Sequence, residues 1–383
     1  MRDRSRRQGS PLPGLSRGIT VVVCAVLSSA CAAAGRPTTT VTPASSGDFF
    51  VTGYHPYWAG ASWTGYPLDL LDELYFFETE AGADGTLADL HGWPTAWEEL
   101  VAQALAEGVR VIPTVSMHDA TAFEAVFTDA GRIDRLVESS LGLLSARPEL
   151  AGIHLDFEVF QPVSLDARDG FTAFAALLAE RLRARYPGRS LSIFALAFDD
   201  DDAYNERTLG VIADYLVVQG YDYYYMDSET AGPVGATDGW GRLNWDYVVD
   251  RFEAFGVPRK KIVMGVPLYG YEWPVESADM GAPVRGTGRT IPYTAPADVL
   301  PEAPRARDRA AEAGVKRDPQ SRVPWYALET PNGWVQGWYD DPESLRHKYD
   351  FVRARGLGGI ALFPLTYGDA AVWAGVREAF PGR

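Results

Sequence analysis

Eight apolar runs of strand length recur along the chain, at 49–55, 73–77, 109–115, 152–158, 191–197, 215–221, 261–267 and 359–364. Between them the apolar period changes. Ile133, Leu136, Val137, Leu141 and Leu144 fall three and four apart, as do Phe171, Phe174, Leu177, Leu178 and Leu182, the spacing of a buried helix face. Near-continuous apolar strands must be covered on both faces, and strands that each lead into a helix imply a parallel sheet. Eight such units predict an α/β fold closed into a (β/α)8 TIM barrel. A doubly wound open sheet would show the same alternation, but no Gly-rich phosphate loop follows the first strand.

The rhythm breaks over 274–338, where Pro and Gly are scattered, a charged patch spans 305–317, and Trp325, Tyr326, Trp334 and Trp338 follow. This stretch reads as a small α+β insertion after the seventh strand. It accounts for a folded part, 49–383, that exceeds the roughly 250 residues of a plain barrel. Trp325, Trp334 and Trp338 serve either as that insertion's own core or as exposed contact groups.

The first 31 residues follow another pattern. Arg2, Arg4, Arg6, Arg7 and Arg17 precede a short apolar run at 19–27, and Ser28, Ser29 and Ala30 lead into Cys31. A basic flank, an apolar stretch too short to span a bilayer and a small-residue cleavage site describe an export signal. Leu27-Ser28-Ser29-Ala30-Cys31 resembles a lipobox, so Cys31 is expected to become a lipidated first residue. Cys24 would leave with the signal, so no disulfide can form in the mature chain. Residues 32–48, rich in Thr, Ser, Pro and Ala, read as a flexible tether. The expected location is outside the cell, at the envelope, with the lipid as the only membrane contact. The chain carries a formal charge of −16. Loss of the signal's five arginines and one aspartate takes it to about −20, which excludes nucleic acid and anionic lipid surfaces as partners.

Chemistry concentrates at the ends of the proposed strands. In Gly152-Ile153-His154-Leu155-Asp156-Phe157-Glu158, strand alternation puts Asp156 and Glu158 on one face and Ile153, Leu155 and Phe157 on the other. Two adjacent acids on so apolar a strand oppose each other's ionisation, which raises one toward the range of a general acid. Tyr54, Tyr57 and Trp58 end the first strand, Gln219, Tyr221 and Asp222 lie at the end of the sixth, Tyr269 follows the seventh and Phe363 closes the eighth. Barrel enzymes place their sites at these ends. Carboxylates ringed by aromatic faces suit sugars, whose C–H faces stack on rings while hydroxyls bond to acids. The acidic run 199–202 lacks ligand spacing for calcium and reads as a solvated loop; no metal and no cofactor is expected, and the chain is expected to be monomeric.

These motifs resemble glycoside hydrolase family 18, the chitinase-type family. GIHLDFE is similar to the tail of its DxxDxDxE signature, QGYD at 219–222 to its MxYD, and GVPLYGYEW at 265–273 to its seventh-strand motif; GLGGIALF at 356–363 resembles the last strand. GPVG at 232–235 and the GYEW ending resemble the branch that includes spore-cortex-lytic glycosylases. No LysM-type repeat is visible, so a sporulation role does not carry over.

The resemblance implies retaining hydrolysis of a β-linked N-acetylglucosamine polysaccharide, chitin-like or peptidoglycan-like, without an enzymic nucleophile. Glu158 would act as acid and then base, Asp156 would orient the substrate's acetamido group, and Tyr221 would hydrogen-bond its oxygen. Asp222, Tyr54, Trp58, His154, Gln219, Tyr269 and Phe363 would line the sugar site. Ala151 and His154 replace two acids of the signature, and His154, on the same strand face as Asp156, is expected to pair with it and favour its ionised form. Phe363 stands where the family has a Trp, and Ser116-Met117-His118-Asp119 departs from its SxGG loop. These departures keep open an alternative, a non-catalytic carbohydrate-binding protein on the same barrel.

Overall fold

The barrel strands are predominantly apolar and almost wholly buried, as a sheet covered on both faces requires. The structure, a computed structural model, describes residues 49–381. The export signal, Cys31 and the 32–48 tether therefore lie outside the described residues.

The strands are β1 (Phe50–Pro56), β2 (Glu73–Ala81), β3 (Leu87–Asp89), β4 (Arg110–Met117), β5 (Gly152–Phe157), β6 (Ser190–Ala195), β7 (Tyr215–Val218), β8 (Ile262–Pro267), β9 (Tyr269–Pro274), β10 (Arg289–Pro292), β11 (Lys316–Arg317), β12 (Pro324–Thr330), β13 (Gly333–Trp338) and β14 (Gly359–Phe363). Eight of them pair in parallel in the order β1-β2-β4-β5-β6-β7-β8-β14, and β14 returns to β1. The expected barrel is closed, with β3 an antiparallel fringe on β2. Helices follow the strands, and those at 120–127, 130–146, 165–185, 206–212, 245–254, 342–355 and 370–379 each begin at an Asp, Ser or Asn whose side chain accepts a first-turn N–H. Each such cap contributes about 1 kcal/mol. Among the described residues no helix is long and apolar enough to cross a membrane.

Strand alternation divides the two sides of the wall. Phe157 faces outward, against Phe127, Phe171 and Phe174 of the helix layer at ring-centroid distances of 5.7, 5.1 and 5.9 Å. His154 faces inward and lies flat on Tyr75 at 4.4 Å. At the closed end, buried Glu73 accepts from Tyr75 at 3.3 Å and also meets Tyr215 and Arg110. Burial nevertheless pushes its carboxyl up to about 7.

The insertion after β8 is a five-stranded antiparallel sheet, β10-β9-β13-β12-β11, with one helix at Ala306–Ala313. It draws in Tyr269–Pro274 as well as the 274–338 expected from sequence, because that strand pairs with both β10 and β13. Glu272, buried within it, accepts from Tyr326 at 2.6 Å and from Arg309 at 3.0 Å. Trp325 and Trp338 are buried and stack at 5.6 Å, which makes them the insertion's own core.

Candidate active site

β5 delivers Asp156 into the barrel near its open end, and the backbone N–H of Glu158 donates to the Met117 carbonyl at 3.0 Å, continuing the β4–β5 ladder one step past the strand. Asp156 is 3 % exposed, and its Oδ1 is buried without a hydrogen-bond partner. Its carboxyl interacts with that of Glu158, two residues on along the same face. Burial, then the charges of Glu158 and Glu78, push Asp156 well above the usual carboxylate range. Burial likewise lifts Glu158 to about 7; His118 and Asp156 pull it down, Asp222 and Glu78 push it up. Two facing carboxyls that both resist ionisation, one of them near 7, can hold a proton where it can be given away and recovered.

The chain leaves β7 at Val218 and turns sharply through Gln219, Gly220, Tyr221 and Asp222. A Cβ at Gly220 would stand 2.0 Å from the Gly265 carbonyl oxygen, so only glycine allows this crossing. A Cβ at Gly265 would meet the Tyr221 ring at 2.8 Å. The two glycines thus let the Tyr221 ring reach the mouth. Asp222 adopts φ +59°, a conformation that Asp tolerates better than most side chains. Its Oδ1 accepts from Tyr269 at 2.7 Å and Tyr271 at 2.9 Å. Burial lifts Asp222 to about 6 against those two bonds.

Half-buried Phe363 forms an aromatic floor, with the rings of Tyr54, Phe77, Tyr221 and Tyr269 at 5.4, 5.5, 6.0 and 6.2 Å. Trp58 rises at the rim, 39 % exposed, edge-on to Phe77 at 5.8 Å. These, with Asp156, Glu158, Tyr221 and Asp222, form one constellation.

Three expected sugar contacts are placed otherwise. Tyr54 is buried at 1 % and bonds His154 Nε2 at 3.0 Å, supporting Phe363 from behind. Gln219 is buried too, and its Oε1 accepts from the Ala197 N–H at 3.2 Å. His154 is fully buried and does not form the expected pair with Asp156: its ring nitrogens meet Tyr54 and, at 2.8 Å, Ser192 Oγ. Residues two apart on one strand face the same side yet stand one layer apart, and His154 occupies the layer below. Burial pushes its imidazole down to about 3, so it is neutral and cannot hold Asp156 ionised.

Sequence reasoning missed Glu78, His118 and Tyr271. Glu78 is 5 % exposed and its Oε2 lies 3.1 Å from His118 Nε2; both sit beside Glu158. The signal for Glu78 was an acid ending the second strand, and for Tyr271 the alternation 269, 271, 273 that β9 aims back at the mouth. Glu78, Glu80 and His91 bring donor atoms within 4.8 Å of one another. That group is closed by its own bonds: His91 Nε2 meets Glu80 at 2.8 Å, its ring stacks on Tyr57 at 3.6 Å, and Glu78 meets His118. We read it as an ion-pair cluster.

The sequence profile of glycosyl hydrolases family 18 matches residues 53–368. The cortical fragment-lytic enzyme of Bacillus subtilis strain 168 is 24 % identical over 241 residues, 60 % of this chain and 49 % of that protein. Mouse chitotriosidase-1 is 28 % identical over 221 residues, 53 % of this chain and 46 % of its own length. The chain thus spans about half the length of these curated relatives. Among solved structures, a chitinase from Chromobacterium violaceum superposes with a TM-score of 0.69 at 25 % identity, covering 88 % of this chain and 100 % of that one. The family profile spans both acids, the Tyr221 turn, the aromatic floor and the barrel that carries them, and the chain belongs to glycosyl hydrolase family 18.

Proposed function

We propose that this protein is a glycosidase that hydrolyses β-linked polysaccharides containing N-acetylglucosamine, chitin-like or peptidoglycan-like, by substrate-assisted retaining catalysis. The observation that carries the reading is the placing of buried Asp156 and, two residues on, Glu158 at the mouth of the barrel beside an aromatic floor. In the first step Glu158 gives its proton to the glycosidic oxygen, and the C1–oxygen bond breaks with its electrons going to the leaving sugar. The acetamide oxygen of the same sugar closes on C1 and leaves a positively charged oxazolinium ring. As Glu158 is deprotonated, Asp156 turns its buried, unpartnered Oδ1 to the acetamide N–H and balances that charge. The phenol of Tyr221 donates to the acetamide oxygen, and Asp222, fixed by two phenols, receives a hydroxyl of the same ring. In the second step water attacks C1, the ring reopens and the proton returns to Glu158. Two displacements at C1 retain its configuration. No enzymic nucleophile is needed, because the sugar supplies its own.

The names of relatives, a chitotriosidase and a cortical fragment-lytic enzyme, are compatible with either polymer. The assay that tests the reading compares the full chain with Glu158→Gln on soluble N-acetylglucosamine oligomers and on peptidoglycan. Fragments released by the first and not by the second support it. Equal release by both, or none from either, removes it, and binding without turnover favours the carbohydrate-binding alternative. The basic, apolar and small-residue pattern ending at Cys31 supports export and lipid anchoring at the envelope. Cells fed labelled palmitate should label the wild type and not Cys31→Ala; equal labelling would refute the anchor.

A further inference from the structure

The β4–β5 register pairs Ser116 with Asp156 and Met117 with Phe157. The next step of the same ladder sets His118 opposite Glu158, and the Glu158 N–H to Met117 bond holds the two segments together there. On the other side β2 supplies Glu78, whose Oε2 stands 3.1 Å from His118 Nε2. Three neighbouring strands therefore present acid, imidazole and acid in a row across the mouth. Glu78 is almost fully buried, whereas the His118 side chain is 44 % exposed to the cleft. Glu78 and His118 take no part in the chemistry above, which uses Glu158, Asp156, Tyr221 and Asp222.

We infer that His118, clamped by Glu78, is a positioning residue for Glu158: its imidazolium faces the Glu158 carboxylate and sets the pH range over which that group can act first as acid and then as base. The inference rests on the glycosidase reading for its catalytic meaning and on the ladder geometry for its existence. Burial works against charge on His118, but the bond to Glu78 and the charges of Glu158, Glu78 and Glu80 outweigh it and hold the imidazole above its ordinary value. Conversely, His118 is the cation that opposes the upward pressure on Glu158. Among the described residues, the other titratable groups that act on Glu158 are acids and phenols: Asp156 on β5, Glu78 on β2, Asp222 after β7, and Tyr54, Tyr204 and Tyr221. Without a cation in this ring Glu158 would be too weak an acid to release its proton readily. The imidazolium favours the carboxylate left after proton donation, and that carboxylate is the base the second step needs.

Coupling between two titrating groups is reciprocal, which gives a test that does not depend on turnover. The full chain has five histidines, and the His118 Cε1–H resonance is identified by its loss in His118→Asn or, independently, in His118→Lys. Its titration midpoint should fall by roughly half a pH unit or more in Glu158→Gln, where the facing charge is gone. A midpoint unchanged in that variant overturns the inference. Kinetically, the basic limb of kcat/KM on N-acetylglucosamine oligomers should move up by about one pH unit in His118→Asn. In His118→Lys, which restores a fixed cation, it should return to or below the wild-type position. A uniform loss at every pH with the limb unmoved would make His118 merely structural and also overturns the inference. A His118 midpoint that follows Glu158 in a protein releasing no sugar sinks the glycosidase reading and leaves this coupling standing. Sugar release that needs Glu158 while the His118 midpoint stays fixed does the reverse.

Discussion

Replacing Glu158 by Gln should stabilise the folded protein in alkaline solution while removing its proposed chemistry. Glu158 titrates near 4.5 when free and at about 7 in the fold, chiefly because it is buried among other acids. Between those values the native state holds a proton that the unfolded chain has released, so stability falls as pH rises across that window. Above pH 7 the full penalty is present. A gap of about 2.5 pH units at 1.36 kcal/mol each corresponds to an order of 3 kcal/mol, and interaction with Asp156 spreads part of this onto the neighbour. Glutamine is neutral at every pH and escapes the cost. Thermal unfolding of the wild type and Glu158→Gln at pH 8 and pH 4 measures the difference. At about 2 °C per kcal/mol for a domain of this size, the variant should melt about 4–6 °C higher at pH 8 and close to the wild type at pH 4. A variant no more stable at pH 8, or a gain of equal size at both pH values, would refute the claim that the site holds acids that resist ionisation.

Glu158 near 7 also requires that kcat/KM on N-acetylglucosamine oligomers decline about tenfold per pH unit on the alkaline side; a rate flat from pH 6 to 9 would contradict its role as acid. Phe363→Ala removes the floor touched by four rings and should lower kcat/KM by roughly 10–100-fold, through KM more than kcat, with little change in the pH limbs. His154→Phe leaves Ser192 Oγ and the Tyr54 hydroxyl without their buried partner and should cost about 2–4 kcal/mol by denaturant titration. The same variant should leave the pH limbs in place, whereas a shifted limb would restore the pairing with Asp156. Lys348 and Asp340 form a fully buried ion pair at 2.7 Å, so Lys348→Met should cost about 3–5 kcal/mol and the double change Lys348→Met with Asp340→Leu should recover most of it. A double variant as unstable as the single would assign the loss to packing.

The closed barrel was legible because its strands are long, apolar and separated by strongly periodic helices. Asp156, Glu158, Tyr221 and Asp222 were legible because alternation and strand ends fix where such residues point. What sequence could not resolve is depth. Asp156 and His154 share a strand face, but only the assembled ring of strands puts His154 into the Tyr54–Tyr75 layer and Asp156 at the mouth. Tyr54 and Gln219 were misplaced for the same reason: a residue near a strand end can support the site from behind without facing the cleft. Glu78 and His118 were missed because each is an ordinary polar residue in its own segment, and their meaning arises from pairing across β2, β4 and β5. The 274 boundary differed because Tyr269–Pro274 continues directly from β8 while its hydrogen-bond partners, 289–292 and 333–338, lie far along the chain.

The central claim is that the sugar's acetamide, steadied by Asp156, replaces an enzymic nucleophile. Proton NMR of products formed from N-acetylglucosamine oligomers, recorded before the anomers equilibrate, tests it most directly when run beside fully N-deacetylated oligomers. With the acetamide as nucleophile, the β-anomer appears first from the acetylated chains and the deacetylated chains are not cleaved. First appearance of the α-anomer, or equal cleavage of both oligomers, would contradict it.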